Sequence, residues 1–281
     1  MEFGKPVFDI IEARRSWRSY REDAVPESKQ EGIRSFIAKL PEPPFGSRVR
    51  FSLNEVDRSR GKRPQGTYGV IKGASLFLAG ILTPGGLGFE DFGYLFESII
   101  LYVTSQGLGS CWLGGTFDSS YFSGLSGLHE GEIIPAVSPV GFTADRRTLL
   151  DTAFVLFVGS RKRKPWSELF FQDSFGTSLD RESAGEYARV LDMVMIAPSA
   201  SNKQPWRIIR KDGAFHFFLT RTPGYAALIR AADLQRIDMG IAMLHFELAA
   251  RESGLPGNWE KCSGACAGLP DRTHYIVSWI P

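Results

Sequence analysis

The stretch from residue 89 to 107 carries apolar residues on nearly every side of a helix, and a second long apolar run covers 237–253. A stretch that is hydrophobic all round reads as a helix buried on every side. Gly107 and Gly254 stop the two runs. The remaining pattern is more local. Val7, Ile10 and Ile11 form a stripe continued by Ala13 and Trp17, which predicts a helix over 6–20. A second helix starts at Pro26, runs through Ile33, Phe36 and Ile37 to Leu40, and stops at Pro41, Pro43 and Pro44. Residues 48–56 alternate as a strand does, and 75–82 is a continuous apolar run of strand length. A further strand is expected at 153–158, a connector at 161–176 and a helix at 183–196, stopped by Pro198. Strands at 206–210 and 215–220 flank Asp212-Gly213, a strong two-residue hairpin signal. The last strand is 274–280. Helices and antiparallel-looking strands without regular βαβ alternation indicate an α+β fold.

The two long runs belong to a repeat. Asp91-Phe92-Gly93 through Gly107-Leu108-Gly109-Ser110-Cys111-Trp112 aligns without a gap on Asp238-Met239-Gly240 through Gly254-Leu255-Pro256-Gly257-Asn258-Trp259. The expectation is an internally duplicated pseudo-dimer around two central helices, with halves at 1–176 and 177–281 forming one compact unit. The halves have kept different sequence features. Arg14-Arg15-Ser16-Trp17-Arg18 stands in the first, and Ala197-Pro198-Ser199-Ala200-Ser201-Asn202-Lys203-Gln204-Pro205-Trp206 in the second.

Composition narrows the function classes. A net charge of +2 does not favour a nucleic-acid partner, although Arg58-Ser59-Arg60-Gly61-Lys62-Arg63 and Arg161-Lys162-Arg163-Lys164 are local basic runs. The start of the chain lacks the apolar core of a signal peptide, and the longest apolar stretch, 74–82, is too short to span a bilayer. Three cysteines, Cys111, Cys262 and Cys266, do not make a disulfide framework, so a reducing cytoplasm is expected. Cys262, Cys266 and His274 have no obvious fourth metal ligand and read as unconnected side chains.

Several motifs fail on inspection. Gly107-x-Gly109 follows a helix and has Trp112 where a dinucleotide fingerprint needs its third glycine. Gly124-Leu125-Ser126-Gly127-Leu128 lacks the last glycine of a nucleophile elbow. On the predicted first helix Arg14 and Arg18 share a face, where with Arg15 and Ser16 they suit a phosphate. The bland alternative is a solvated helix end at which cations meet the dipole. Ser199, Ser201, Asn202 and Gln204 offer donors and acceptors to a planar heterocycle, or else an Asx-type turn that satisfies its own backbone.

These stretches resemble the FMN-dependent nitroreductases. Arg14-Arg15-Ser16-x-Arg18 is similar to their arginine element, and Ala197-Pro198-Ser199-x-x-Asn202-x-Gln204-Pro205-Trp206 to their PSxxNxQPW element. Gly107-Leu108-Gly109-Ser110-Cys111-Trp112-Leu113-Gly114 resembles their GLGSCWxG segment, and Arg161-Lys162-Arg163-Lys164-Pro165 their basic segment. The arrangement is most similar to a subgroup, the TM nitroreductase type, with two such halves fused in one chain. The resemblance implies FMN as cofactor, NAD(P)H as electron donor, and a nitroaromatic, quinone or similar small acceptor. It also implies a monomeric pseudo-dimer without nucleic-acid or membrane partners. Arg14, Arg15, Ser16, Arg18, Arg161 and Arg163 would hold the phosphate and ribityl chain, with Gly109 and Ser110 beside them. Pro198, Ser199 and Ala200 would pack on a flavin face, Asn202 near its edge, and the backbone of Gly114 and Gly115 near flavin N5. Tyr68 and Gly69 stand where the family carries its contacts to the pyrimidine edge, although the Asn/Lys pair found there in the family has no clear counterpart. No side chain is expected to act as a catalytic acid or base, and no metal is expected. The competing reading is a flavin carrier or a flavin-free binding module, its cofactor face covered by Phe89, Phe92, Tyr94 and Phe96.

Overall fold

The computed structural model describes residues 1–57, 64–144, 162–225, 232–262 and 268–281. The expected strand at 153–158, the basic run at 58–63, Arg161 and Cys266 lie outside the described residues. Helices α1 (Val7–Ala13) and α2 (Glu27–Ala38) lead into β1 (Val49–Glu55), β2 (Leu76–Leu82) and the long α3 (Gly88–Ser105). Next come β3 (Gly109–Ser110), α4 (Ser119–Ser126) and β4 (Ile133–Gly141). These four strands form an antiparallel sheet in the order β1-β2-β4-β3. After α5 (Trp166–Leu169) come β5 (Phe170–Gln172), α6 (Arg181–Ala184), α7 (Tyr187–Met195), β6 (Trp206–Lys211) and β7 (Ala214–Thr220). The long α8 (Leu234–Glu252), β8 (Asn258–Glu260) and β9 (Thr273–Ile280) complete the fold. The second sheet has the order β5-β6-β7-β9-β8, with β5 parallel to β6 and the other pairs antiparallel. Strand β5 precedes residue 177, yet it pairs inside this second sheet.

The α+β class read from the sequence is the observed one. The hairpin turn has both central residues left-handed, Asp212 at φ 51° and Gly213 at φ 80°, as a type I′ turn requires. The helix expected over 183–196 is broken at Gly185 into α6 and α7, and the first helix is also shorter than expected. The first helix ends at Ala13 instead of Tyr20, because Arg14 turns extended (φ −58°, ψ 126°) and the following residues pair with distant strands. Ser16 bridges Ser110, Ser19 bridges Lys72 and Tyr20 bridges Thr143. Residues 119–141, unassigned in the sequence, form α4 and the interior strand β4. Its Pro135 and Pro139 are tolerated for a geometric reason. Val137 N–H donates to the Leu113 carbonyl at 3.0 Å, away from β2. Pro139, two residues on, lacks its N–H on that same flank and keeps its place opposite Phe77 of β2, while Pro135 falls where the register with β2 shifts, a place that tolerates proline.

The core is built around α3 and α8, which pack on each other while α3 also covers the first sheet and α8 the second. Their approach is backbone to backbone. A side chain at Gly93 would run into the Ile237 carbonyl, and one at Gly240 into the Glu90 carbonyl, both far inside van der Waals contact. The two contacts are related by the same offset that aligns Asp91 with Asp238. Phe92 and Phe96, stacked at 5.5 Å, press on Gly80 of β2. On the other side Phe246 meets Phe215, Phe217, Trp259 and Trp279.

Gly240→Ala is expected to destabilise the protein by about 1–3 kcal/mol or more, since neither carbonyl nor helix axis can yield cheaply. Gly124→Ala is the control. It lies inside α4 with open space beside it, so alanine should stabilise by about 0.4–1 kcal/mol. Urea unfolding of both variants checks the pair; equal midpoints would show that the helices do not need the glycine contact.

Candidate functional site

A cavity of about 780 Å³ opens between the two halves of the chain. Its walls come from far-apart segments. Arg14, Arg15, Ser16 and Arg18 follow α1. Trp112, Leu113, Gly114, Gly115 and Thr116 follow β3. Arg163 comes from the basic segment, Pro198 to Asn202 from the turn after α7, and Leu234, Ile237, Asp238 and Ile241 from α8. One end is therefore basic and one wall apolar.

Local pairing explains each placement. The arginine segment is held extended by Trp17 N–H to the Ser110 carbonyl at 2.9 Å and by Lys72 N–H to the Arg18 carbonyl at 2.8 Å. Ser110 is thus a backbone support for the arginines and does not line the cavity, nor does Gly109, whose missing side chain leaves room for Trp17 and Thr143. Tyr68, 72% exposed, and Gly69 also lie off the cavity wall, where Val70 stands instead. Arg161 is outside the described residues.

The turn after α7 is strained. Ser201, Asn202 and Gln204 all have positive φ, at 48°, 53° and 47°. Such backbone persists only where its surroundings hold it. Here Gln204 N–H donates to Ser199 Oγ at 2.9 Å, and Asn202 N–H to the Ser199 carbonyl at 2.9 Å. Gln204 Oε1 accepts from Lys164 N–H at 2.9 Å, and Asn202 Nδ2 donates to the Lys162 carbonyl at 2.8 Å. Arg163 joins in by donating to the carbonyls of Ile196 and Ala197. Much of the polar capacity of Ser199, Asn202 and Gln204 therefore goes into fastening this turn to the basic segment. Pro198, Ala200 and Ser201 also line the cavity.

The charges at the basic end are partly withdrawn from water. Arg14 is 7% exposed; burial lowers its pKa from the ordinary value, Glu97 opposes the fall, and Arg15 adds to it. Burial, with Arg14 and Arg15 nearby, lowers Arg163 to about 10. Both stay cationic at neutral pH. Behind Arg14 lies a buried cluster that the sequence reading missed. Glu97 of α3, fully buried, accepts from Trp112 Nε1 at 2.6 Å, faces His245 Nε2 of α8 at 3.1 Å, and lies 3.6 Å from Arg14 Nε. His245 Nδ1 is 3.0 Å from the Met193 carbonyl, which can only accept, so Nδ1 carries a hydrogen. Glu97 thus stands against Trp112, His245 and Arg14 at once and fixes the backs of Arg14 and Trp112. Of the aromatics expected to cover a cofactor, Phe92, Tyr94 and Phe96 are buried in the core and Phe89 packs against it; none lines the cavity.

The other site residues missed in the sequence are Asp238, Tyr225 and the apolar wall of α8. Asp238 carried a signal in the sequence, where it aligns with Asp91 at the start of the two similar stretches. Among the described residues, no cluster of three or more His, Cys, Asp or Glu side chains suits a metal ion. Among them too, no helix is long and apolar enough to cross a membrane.

The chain belongs to the nitroreductase family described as "Putative TM nitroreductase", whose model matches residues 6–250. It is similar in fold to a nitroreductase structure from Thermotoga maritima, with 20% identity, a TM-score of 0.62, and coverage of 100% of this chain and 95% of that one. A nitroreductase with bound FMN from Bacteroides fragilis is 22% identical, with a TM-score of 0.41, over 52% of this chain and 92% of that one. A nitroreductase family protein from Clostridium novyi is 18% identical, with a TM-score of 0.39, over 64% and 97%. No curated protein matches the chain.

Glu97→Ala is expected to cost about 3–5 kcal/mol, because it leaves the buried Arg14 without its counter-charge. Glu97→Gln, which can still accept from Trp112, should cost less. Chemical denaturation distinguishes them; a loss under about 1 kcal/mol for the alanine variant would mean that Arg14 relocates to water at no cost.

Proposed function

We propose that this protein is an FMN-dependent oxidoreductase that takes reducing equivalents from NAD(P)H and passes them to a small acceptor such as a nitroaromatic or quinone. The observation that carries the reading is the meeting, in one cavity, of the arginine segment, Gly114-Gly115 and the turn at Pro198–Asn202, drawn from both ends of one chain.

The residues present fit such a cofactor. Arg14 Nε is buried at the basic end with no hydrogen-bond partner among the described residues. It lies beside Arg15, Ser16, Arg18 and Arg163, a set suited to a phosphate. At the other end Gly114 has no side chain where one would come within 2.8 Å of Leu234, which keeps that passage thin. Pro198 and Ala200 would pack on the face of a flat ring, and Trp112, Leu234, Ile237 and Ile241 would exclude water from it. The N–H groups of Gly114 and Gly115 would serve as donors at its edge. Flavin, when bound, supplies reversible hydride chemistry, and the protein supplies placement and electrostatics.

Both walls come from one chain, so we infer one FMN per chain and a monomeric pseudo-dimer that needs no second subunit. Three cysteines make no disulfide framework, which supports a reducing cytoplasm as the proposed location.

Titration of the apoprotein with FMN should saturate at one flavin per chain. Removing a charge-assisted contact in Arg14→Ala should weaken binding roughly ten- to a hundredfold. The yellow protein should bleach anaerobically on addition of NADH or NADPH. A yellow protein that neither nucleotide bleaches is a carrier, and one that takes up no FMN is a flavin-free binding module; either result overturns the reading.

A further inference from the structure

A second cavity, of about 570 Å³, lies on the other side of the turn after α7. Arg163, Ser201 and Asn202 line both cavities, so the two adjoin there. The neighbours of these residues divide between them. Pro198 and Ala200 line the first cavity, Lys203 and Pro205 the second. Lys162 and Lys164, on either side of Arg163, line the second alone. Lys203 stands between the left-handed residues Asn202 and Gln204, which turn the chain from one cavity to the other. The mount is firm, because Lys164 N–H donates to Gln204 Oε1 and Asn202 Nδ2 to the Lys162 carbonyl. Arg207 enters from β6, and Arg221 follows β7.

Six cations line this cavity, and no carboxylate among the described residues does. The first cavity, by contrast, has Glu12 and Asp238 in its wall. Not all six charges are available. Arg221 is closed by Asp233 in two hydrogen bonds, and Arg163 is spent on the carbonyls of Ile196 and Ala197. Lys164 Nζ has Glu168 at 3.7 Å, a carboxylate that is itself 56% exposed. The side chains of Lys162 and Lys203 have no hydrogen-bond or ion-pair partner among the described residues. Arg207 donates from Nη1 to the carbonyls of Gln204 and Trp206, which carry no counter-charge. None of these four is buried: Lys162 is exposed, and Lys164, Lys203 and Arg207 are half-buried. They also feel one another. Burial lowers Lys164 from its ordinary value, Arg207 adds to the fall, Glu168 opposes it, and Lys203 deepens it. Like charges gathered in one hollow are relieved by an anion placed among them.

We propose that this second cavity binds a phosphate monoester, at a site separate from the arginine segment of the first. The chemistry selects the group. A phosphate monoester brings a charge of about −1.5 to −2 near neutral pH and three strong acceptor oxygens. Arg207 offers a planar fork to such oxygens, and Lys162, Lys164 and Lys203 offer point charges around it. The volume exceeds that of a bare anion and suits a small phosphorylated molecule. Two molecules can carry the group. One is the electron donor, since a 2′-phosphate is what NADPH has and NADH lacks, and the two cavities adjoin. The other is a separate phosphorylated small molecule. The site stands without the flavin reading; the donor as its source rests on that reading.

The test titrates FMN-saturated protein, whose arginine end is filled, with inorganic phosphate, adenosine 2′-monophosphate and uncharged adenosine. Binding is followed by calorimetry in phosphate-free buffer. Wild type should bind both phosphates and should bind adenosine far more weakly. Lys203→Gln should weaken the two phosphates about tenfold, and Lys162→Gln combined with it roughly ten- to a hundredfold. Lys203→Arg should restore binding, and Lys39→Gln, an exposed lysine elsewhere, should leave it unchanged. Neither Lys162 nor Lys203 has a side-chain partner among the described residues, so these variants should fold. Phosphates that bind wild type no better than adenosine, or a double variant that binds them as wild type does, overturns the proposal. The source is read from kcat/KM with a quinone acceptor. If the donor's 2′-phosphate fills the site, Lys203→Gln lowers the NADPH-to-NADH ratio about tenfold with kcat unchanged. If a separate molecule fills it, phosphate binding falls and the ratio stays. If the protein takes up no FMN, the flavin reading fails by itself. The same titrations then decide the site, because binding lost with Lys162 and Lys203 does not lie at the arginine segment.

Discussion

The close crossing of α3 and α8 is the constraint on which the rest depends. Two helix backbones touch through Gly93 and Gly240, each opposite a carbonyl of the other helix. At that distance there is no space for an intervening layer of side chains. Everything polar on the facing surfaces must therefore be satisfied by the partner helix or by the segments wedged beside it. Glu97 meets His245, Tyr94 donates to Glu247, and Arg236 holds Glu90, all from one long helix to the other. These pairs are costly to bury and costly to break singly, so they fix the register of the two helices. Register in turn decides where the cavity walls stand, because Ile237, Asp238 and Ile241 lie on the same helix within one turn of the Gly240 contact.

The basic end is built by a different principle. Its arginines leave a helix at Ala13 and are then carried by backbone pairing with Ser110, Lys72 and Thr143. A short extended segment with partners on two sides is a stiffer mount than a fraying helix end. The cations can then be held partly dry, where they act more strongly on an anion than they would in water. Glu97 limits the cost by standing behind Arg14, and the same carboxylate fixes the Trp112 indole. One buried acid thus sets both a cation and an aromatic of the cavity wall.

What the sequence made legible follows from how local each feature is. The two long apolar runs, the Asp212-Gly213 hairpin and the proline stop at Pro198 are written in neighbouring residues, and all are found in the structure. The end of α1 was hidden because the residues that compete for Arg14 to Tyr20 lie some fifty or more positions away, and a continuing apolar stripe through Trp17 argued for helix. Strand β4 was hidden because its two prolines argue against an interior strand, and only the structure shows one on the flank where Val137 N–H turns to Leu113 and the other at a register shift. Asn202 and Gln204 looked like ligand contacts, and the alternative of a turn satisfying its own backbone describes much of their bonding. The motif tells which residues stand together there, but not which of them face the cavity.

The contrast between Asp91 and Asp238 shows how nearly equivalent positions come to differ. Both aspartates accept from a segment that follows a proline, and both stand two residues before the glycine of the helix contact. In the first half the segment presents two N–H groups in succession, the carboxylate is closed, and Phe45 is drawn down over it. In the second half left-handed residues turn the chain after a single N–H, and Oδ2 of Asp238 stays buried without a second bond among the described residues. Tyr94 in the first half stands where Ile241 stands in the second, and its hydroxyl crosses to Glu247 and fills that side. Both the left-handed turn and Ile241, the aliphatic counterpart of Tyr94, line the open cavity. The helix pair itself stays the same in both directions, and it can carry a closed face and an open one at once because its register is set by the glycines and the buried pairs, which neither face disturbs.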